Sequence, residues 1–425
     1  MLVLILQLCN TDGEAFMYYK GVQVTPIQYP YYPTQLGFDD NSFSYDDVKF
    51  LQRNKINLIQ LNFMLPGLFQ KDNTPSQSYL SEMKRVVQLC KDNNISVIIA
   101  MYQKHLSELN CGQGFPQWLL GQTLPTDSSH EFPYPLLQQI TRNSNGSINQ
   151  DQCKLITPEQ TYYNINGVEH LYFNDSFMDI IQQFWKVVIK EFDYFDNIIS
   201  YIPFTEPQYG NYINNLNSDI LPQFYSKVLQ SINTNKSILI SGAINDVFDK
   251  FGEIISDNCL IYNYIDNTKI LDKFKSNFQA VEDNTQSNFI IGQFGRDFSI
   301  IKQQLTQISG KTWIYPSLKG YGDLNAISLL QQPEIIQQLS YPYFSAVFGT
   351  HVKQTFYFEN QSLSLKFVTG EISARSKIEI SQYWKLFATN AKFVQGQEDV
   401  KVILEDGQVF LENINTGAEV DITIW

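Results

Sequence analysis

The stretch Tyr201-Ile202-Pro203-Phe204-Thr205-Glu206-Pro207 carries an apolar run to a glutamate and stops it there with a proline. Proline cannot continue a β-ladder, so Glu206 stands where a strand ends. A carboxyl group in that position can act as a general acid and protonate a leaving oxygen. Few other groups compete for a catalytic role. His105 and His130 lie in a long segment without periodicity, and neither has a Ser or Cys partner in a recognisable motif. A nucleophilic triad is therefore not supported. The cysteines at 9, 90, 111, 153 and 259 form no Cys-x-x-Cys pair, and no metal-ligand spacing or phosphate-cradling glycine loop occurs. Neither a metal nor another cofactor is expected.

An acid at a strand end needs a scaffold that presents strand ends together. Eight short runs read as strands: Lys20–Val24, Ile56–Phe63, Ile95–Tyr102, Ile198–Phe204, Ser237–Ser241, Leu260–Tyr264, Phe289–Phe294 and Thr312–Tyr315. They are nearly continuous in apolar residues, as parallel strands buried on both faces must be. Amphipathic stretches separate them. Leu80, Met83, Val86, Val87 and Cys90 form one stripe; Phe177, Ile180, Ile181, Phe184, Val187 and Val188 form another. Ser44 with Asp46 and Asp47 marks a helix start. This alternation predicts an α/β fold, a (β/α)₈ TIM barrel over residues 1–340, with its chemistry at the C-terminal strand ends. The segment from His105 to Leu171 follows the third strand on that face. From 341 to 425 strand-like runs come without helices: Thr355–Phe358, Ser362–Phe367, Lys377–Ile380, Val400–Leu404, Val409–Leu411 and Val420–Trp425. They predict a C-terminal antiparallel β-sandwich.

Composition narrows the partners. A net charge of −13 over 425 residues argues against nucleic acid, which attracts a basic surface. No apolar run approaches the length that spans a bilayer. The apolar start, Met1 to Cys9, is read either as the remnant of a signal peptide or as a first strand that turns at Asn10–Gly13. Cys111 and Cys153 share one loop region; a disulfide fits a secreted protein, and two free thiols are the alternative. Sequons at Asn94, Asn145, Asn174, Asn235 and Asn360 lean the same way.

Thr205-Glu206-Pro207 resembles the Asn-Glu-Pro motif of glycoside hydrolase family 5. Within it, Cys111-Gly112-Gln113-Gly114-Phe115-Pro116-Gln117-Trp118 is similar to the endoglycoceramidase segment Cys-Gly-x-Gly-Phe-Pro-x-Trp. Weaker likenesses, such as Met64-Leu65-Pro66-Gly67, extend the resemblance from about Thr11 to Trp425. It implies a retaining mechanism with two carboxylates roughly 5 Å apart. Glu206 is then the acid. The nucleophile belongs in a Glu-Phe-Gly context at the seventh strand, where this chain reads Gly292-Gln293-Phe294-Gly295. An amide is a poor nucleophile and carries no charge to stabilise an oxocarbenium-like transition state.

Other positions implied by the resemblance also depart. Gln60 replaces an Arg, Tyr102 a His, Thr205 an Asn, Asn263 a His and Pro316 a Trp, whereas Tyr264 is retained. Gln60, Tyr102, Thr205, Asn263, Tyr264, Trp313 and Tyr315 are the expected substrate-binding residues around the pair Glu206 and Gln293. Asp297, beside Arg296, is a substitute nucleophile that reads more readily as a solvated loop. The first expectation is a catalytically impaired glycosidase homologue that binds a glycan or glycosphingolipid and meets a membrane surface through the lipid. Its location is expected to be extracellular or an endomembrane or lysosomal lumen. The alternatives are an active hydrolase of glycosylceramide-like β-glycosides, and an interaction protein that keeps only the fold.

Overall fold

Eight parallel strands close on themselves around an apolar interior. The structure is a computed structural model that describes residues 16–27, 29–35, 41–69, 73–104, 106, 111–112, 114–120, 141, 144, 149–153, 161–210, 215–242, 259–262, 289–292, 294, 301–319, 329–384, 390–405 and 408–425. The barrel strands are β2 (Lys20–Val24), β3 (Leu58–Met64), β4 (Ser96–Tyr102), β5 (Ile198–Ile202), β6 (Ser237–Ser241), β7 (Cys259–Tyr262), β8 (Phe289–Ile291) and β9 (Trp313–Tyr315). They pair in chain order, and β9 returns to β2 with Ile314 opposite Gly21. All eight runs read from the sequence are present. Alternation sends Leu58, Ile98, Ala100, Leu239, Ile290 and Ile314 into a separate interior cluster, while their neighbours face the surrounding helices.

The helices follow from their stripes. Helix Gln77–Lys91 buries Leu80, Met83, Val86, Val87 and Cys90, and helix Asp175–Phe192 buries Phe177, Ile180, Ile181, Phe184 and Val188. Helix Tyr45–Arg53 starts where Ser44 and Asp47 predict: the Ser44 amide donates to Asp47 Oδ2 at 2.7 Å. The same oxygen accepts from Lys319 Nζ at 2.8 Å, a buried ion pair that ties the segment after β9 to this helix.

The C-terminal unit is two antiparallel sheets. One has the order β1 (Phe16–Met17), β10 (Tyr343–Val347), β13 (Arg375–Glu379), β16 (Gln408–Asn413), β15 (Val400–Glu405). The other runs β11 (Gly349–Tyr357), β12 (Ser362–Thr369), β17 (Glu419–Ile424), β14 (Ala391–Gln395). Strands β10 and β14 were not legible in the sequence. Phe16 pairs with Val347, so the sandwich also takes in the short strand that precedes the barrel.

Candidate functional site

Glu206 follows β5 at the C-terminal end of the barrel, where the sequence places it. It is only 5% exposed and adopts φ +44°, a left-handed conformation that costs a non-glycine residue on the order of 1–3 kcal/mol. Its backbone is held on every side. Trp185 Nε1 donates to Pro203 O at 3.0 Å, and the Tyr225 hydroxyl shares its one proton between Ser241 O, the nearer acceptor, and Phe204 O at 3.2 Å. Gln103 Nε2 donates to Thr205 O at 2.6 Å and to Glu206 O at 2.8 Å. Four successive carbonyls leading to the carboxylate are therefore fixed by side chains from other elements. The Tyr172 hydroxyl adds a fifth bond, to Gln208 O at 2.9 Å. Lys104 Nζ lies 4.0 Å from Glu206 Oε2, which sets an ammonium beside the carboxylate. Neither Gln103 nor Lys104 was singled out in the sequence, since nothing in their spacing shows that the end of β4 faces the end of β5.

The loop motif acts on this same point. Gly114 packs so tightly on Gln103 that a Cβ there would lie 2.4 Å from Gln103 Cα. Only glycine lets the loop press on the residue that holds Glu206. The loop is anchored by a disulfide between Cys111 and Cys153, with Cα atoms 5.5 Å apart. Of the two readings of these cysteines, the bonded one holds.

Gln60 points into the barrel on the face of Leu58. Its Nε2 donates to Asn62 Oδ1 at 2.8 Å, and Asn62 Nδ2 donates to Thr25 Oγ1 at 2.7 Å. Among the described residues, Gln60 Oε1 is buried without a hydrogen-bond partner, as is Gln208 Oε1 beyond Glu206. Tyr102 ends β4 on the interior face, buried. Thr205 does not extend its hydroxyl outward: Oγ1 donates to Met101 O at 3.0 Å, and its amide to the same oxygen at 3.0 Å.

Trp313 and Tyr315 correct the sequence reading. They were expected to line the cleft. Ile314 faces the interior, so alternation turns both aromatics outward. Trp313 Nε1 donates to the Tyr341 hydroxyl at 3.1 Å, and both rings pack on Phe294, at 5.4 and 6.1 Å between centroids. They are core residues. Gln293, Asn263, Tyr264, His105, His130, Arg296 and Asp297 lie outside the described residues, and with them the facing of Glu206 and Gln293. A cavity of about 690 Å³ opens at the opposite end of the barrel, bordered by Tyr19, Asn57, Ser96, Asn197, Ser345 and Glu379. It sits at the N-terminal strand ends, where barrels keep stability rather than chemistry.

No protein-family model matches the chain. Over 248 residues it is 25% identical to an endoglycoceramidase of Hydra vulgaris, covering 55% of this chain and 47% of that protein. Over 210 residues it is 28% identical to an endoglycoceramidase of Cyanea nozakii, covering 48% and 41%. In these matches the chain spans less than half the length of the relatives. Endo-glycoceramidase II from Rhodococcus sp., solved as a lactosyl-enzyme intermediate, superimposes with a TM-score of 0.68 at 14% identity, over 98% of this chain and 99% of that one. An endogalactoceramidase gives 0.67 at 14% identity, over 99% and 100%. Sterylglucosidase 1 of Cryptococcus neoformans gives 0.67 at 11% identity, over 98% and 96%. The chain has an endoglycoceramidase-like glycosidase fold.

Proposed function

We propose that this protein binds a glycan, or the sugar headgroup of a glycosphingolipid, in the barrel mouth and cleaves it poorly or not at all. The observation that carries this reading is the held conformation of Glu206. A left-handed glutamate fastened through four consecutive carbonyls stores backbone strain that a mere fold relic has no reason to keep. The carboxylate therefore has a task at the mouth. The likeness to endoglycoceramidases, one of them solved with ganglioside GM3, points to a sugar as its ligand. Poor cleavage follows from Gln293, which offers an amide where a retaining site needs a second carboxylate. An amide still donates and accepts hydrogen bonds, so affinity can outlast turnover. In the same reading the sugar is presented at a membrane surface when it is lipid-linked. The Cys111–Cys153 bond fits a secreted or luminal protein.

The test is paired. Calorimetry with lactose, cellobiose and ganglioside micelles should detect binding that weakens in Glu206→Gln. Product analysis over days should give turnover at least about a thousand-fold below an enzyme with both carboxylates, the scale on which loss of one catalytic member acts. Robust hydrolysis that vanishes in Glu206→Gln would establish instead an active hydrolase with Glu206 as its acid/base. Absence of both binding and cleavage would leave a protein that keeps only the fold.

A further inference from the structure

Five Asn-x-Ser sequons occur, and four of them, at Asn94, Asn174, Asn235 and Asn360, fall among the described residues. We propose that Asn94, Asn235 and Asn360 are N-glycosylation sites. The first support is the state of the reacting atom. All three side chains are exposed, and among the described residues none of their Nδ2 atoms makes a hydrogen bond. The one side-chain bond among them is on oxygen: Asn360 Oδ1 accepts from Ser362 Oγ at 2.7 Å, which leaves Nδ2 clear. Several asparagines outside sequons spend the same atom on the fold. Asn93, adjacent to Asn94, donates from Nδ2 to Leu89 O at 2.9 Å; Asn54 donates to Phe50 O at 2.8 Å and Asn413 to Phe348 O at 2.9 Å. A glycan at those positions would break the structure, and at the three sequons it would not.

Position is the second support. Asn94 immediately precedes Ile95 and β4, and Asn235 precedes β6 by two residues, so both sit at the barrel end opposite Glu206. Asn360 lies in the turn between β11 and β12 of the sandwich. Glycans on all three leave the mouth clear. Asn174 differs: it is half-buried on the mouth side, and its Oδ1 caps helix Asp175–Phe192 through the Ser176 amide at 2.9 Å. The third support is the disulfide. Bonds such as Cys111–Cys153 persist in the oxidising compartments where glycan transfer takes place.

In the transfer, asparagine Nδ2 bonds to C1 of an oligosaccharide carried on a lipid diphosphate. The C1–O bond to the diphosphate breaks, the lipid diphosphate leaves with the electron pair, and Nδ2 gives up one proton to a base of the transferase. The modification is independent of what the barrel mouth binds.

The experiment directs the full chain into the secretory pathway of a eukaryotic host. Purified protein is treated with peptide N-glycosidase F in heavy-oxygen water, which converts each glycosylated asparagine into a labelled aspartate, and peptides are read by mass spectrometry. Label at two or more of Asn94, Asn235 and Asn360 is the expected result. The corresponding Asn→Gln variants should each lower the intact mass by one glycan; Asn235→Gln should leave the thermal midpoint unchanged, whereas Asn94→Gln, at φ +56°, and Asn360→Gln, which gives up the bond from Ser362 Oγ, should lower it slightly. Label at one or none of the three, in a preparation where a control glycoprotein is fully labelled, overturns the proposal.

Discussion

The strongest residue-scale feature is the way Gln103 fastens the segment that presents Glu206. Its amide serves two buried carbonyls, Thr205 O and Glu206 O, from one nitrogen. Gln103→Leu keeps the side-chain size, removes both bonds and strands two acceptors out of water. Each unsatisfied buried group costs about 1–3 kcal/mol, so a loss of about 2–6 kcal/mol is expected in urea unfolding. Sugar binding should fall together with stability, because Glu206 then relaxes from its left-handed conformation. Unchanged affinity in a folded Gln103→Leu protein would show that the strain serves only the loop. Glu206 itself was legible, because Glu-Pro at the end of an apolar run has few other readings. Gln103 was not, because its importance lies in contacts more than a hundred residues away.

At the scale of elements, the start of helix Tyr45–Arg53 was readable from Ser44, Asp46 and Asp47. Its second duty was not. Asp47 also pairs with Lys319, 272 residues along the chain, and Lys319 Nζ further donates to Ser42 O at 3.0 Å and Ser42 Oγ at 2.8 Å. This buried group of atoms locks the segment after β9 against the one after β2, across the seam where the barrel closes. Lys319→Met leaves a carboxylate buried without its cation, for which about 3–5 kcal/mol is the usual cost. The double change Lys319→Met with Asp47→Leu should recover part of it, since no uncompensated charge remains although the Ser44 amide loses its acceptor, at a cost of about 0.5–2 kcal/mol. Thermal midpoints of the two variants and the parent decide the matter; equal losses in single and double variants would mean that the pair is not the fastening.

For the whole molecule, the junction between barrel and sandwich turns on Lys20. This buried residue on β2 donates from Nζ to Leu339 O at 3.2 Å and to Tyr341 O at 2.5 Å, and its Nζ lies 3.1 Å from the Tyr341 ring centroid and 4.3 Å from that of Tyr343. Burial pushes its pKa well below the ordinary lysine value. Between that lowered value and about 10.4 the unfolded chain binds the proton that the folded chain has released, so stability rises with pH across the interval. Tyr341 and Tyr343 act in the opposite sense: burial pushes their hydroxyls up, and the folded state then loses stability above about 10. Tyr19, pushed up to about 12 by burial against the Ser96 hydrogen bond that lowers it, adds to that fall. Urea unfolding at a series of pH values from neutral to the mid-nines should therefore show rising stability in the parent and a flatter profile in Lys20→Met. Identical slopes would remove Lys20 from the account.

Sequence alone determined the architecture. Eight continuous apolar runs with amphipathic stripes between them can be buried only as parallel strands wrapped by helices, and local periodicity carries that information. It also placed Glu206 at the barrel mouth, because Glu206-Pro207 is a local signal for a strand end. Tertiary structure decided which side chains the strands turn inward. Trp313 and Tyr315 lie on a strand that ends at the mouth, yet the interior position of Ile314 sends both into the outer core. It also decided what holds Glu206. Gln103, Gly114 and Lys104 converge on Glu206 through the closeness of neighbouring strand ends and a loop pressed between them. Contacts of that kind join residues remote in the chain, and no pattern within a short window of sequence encodes them.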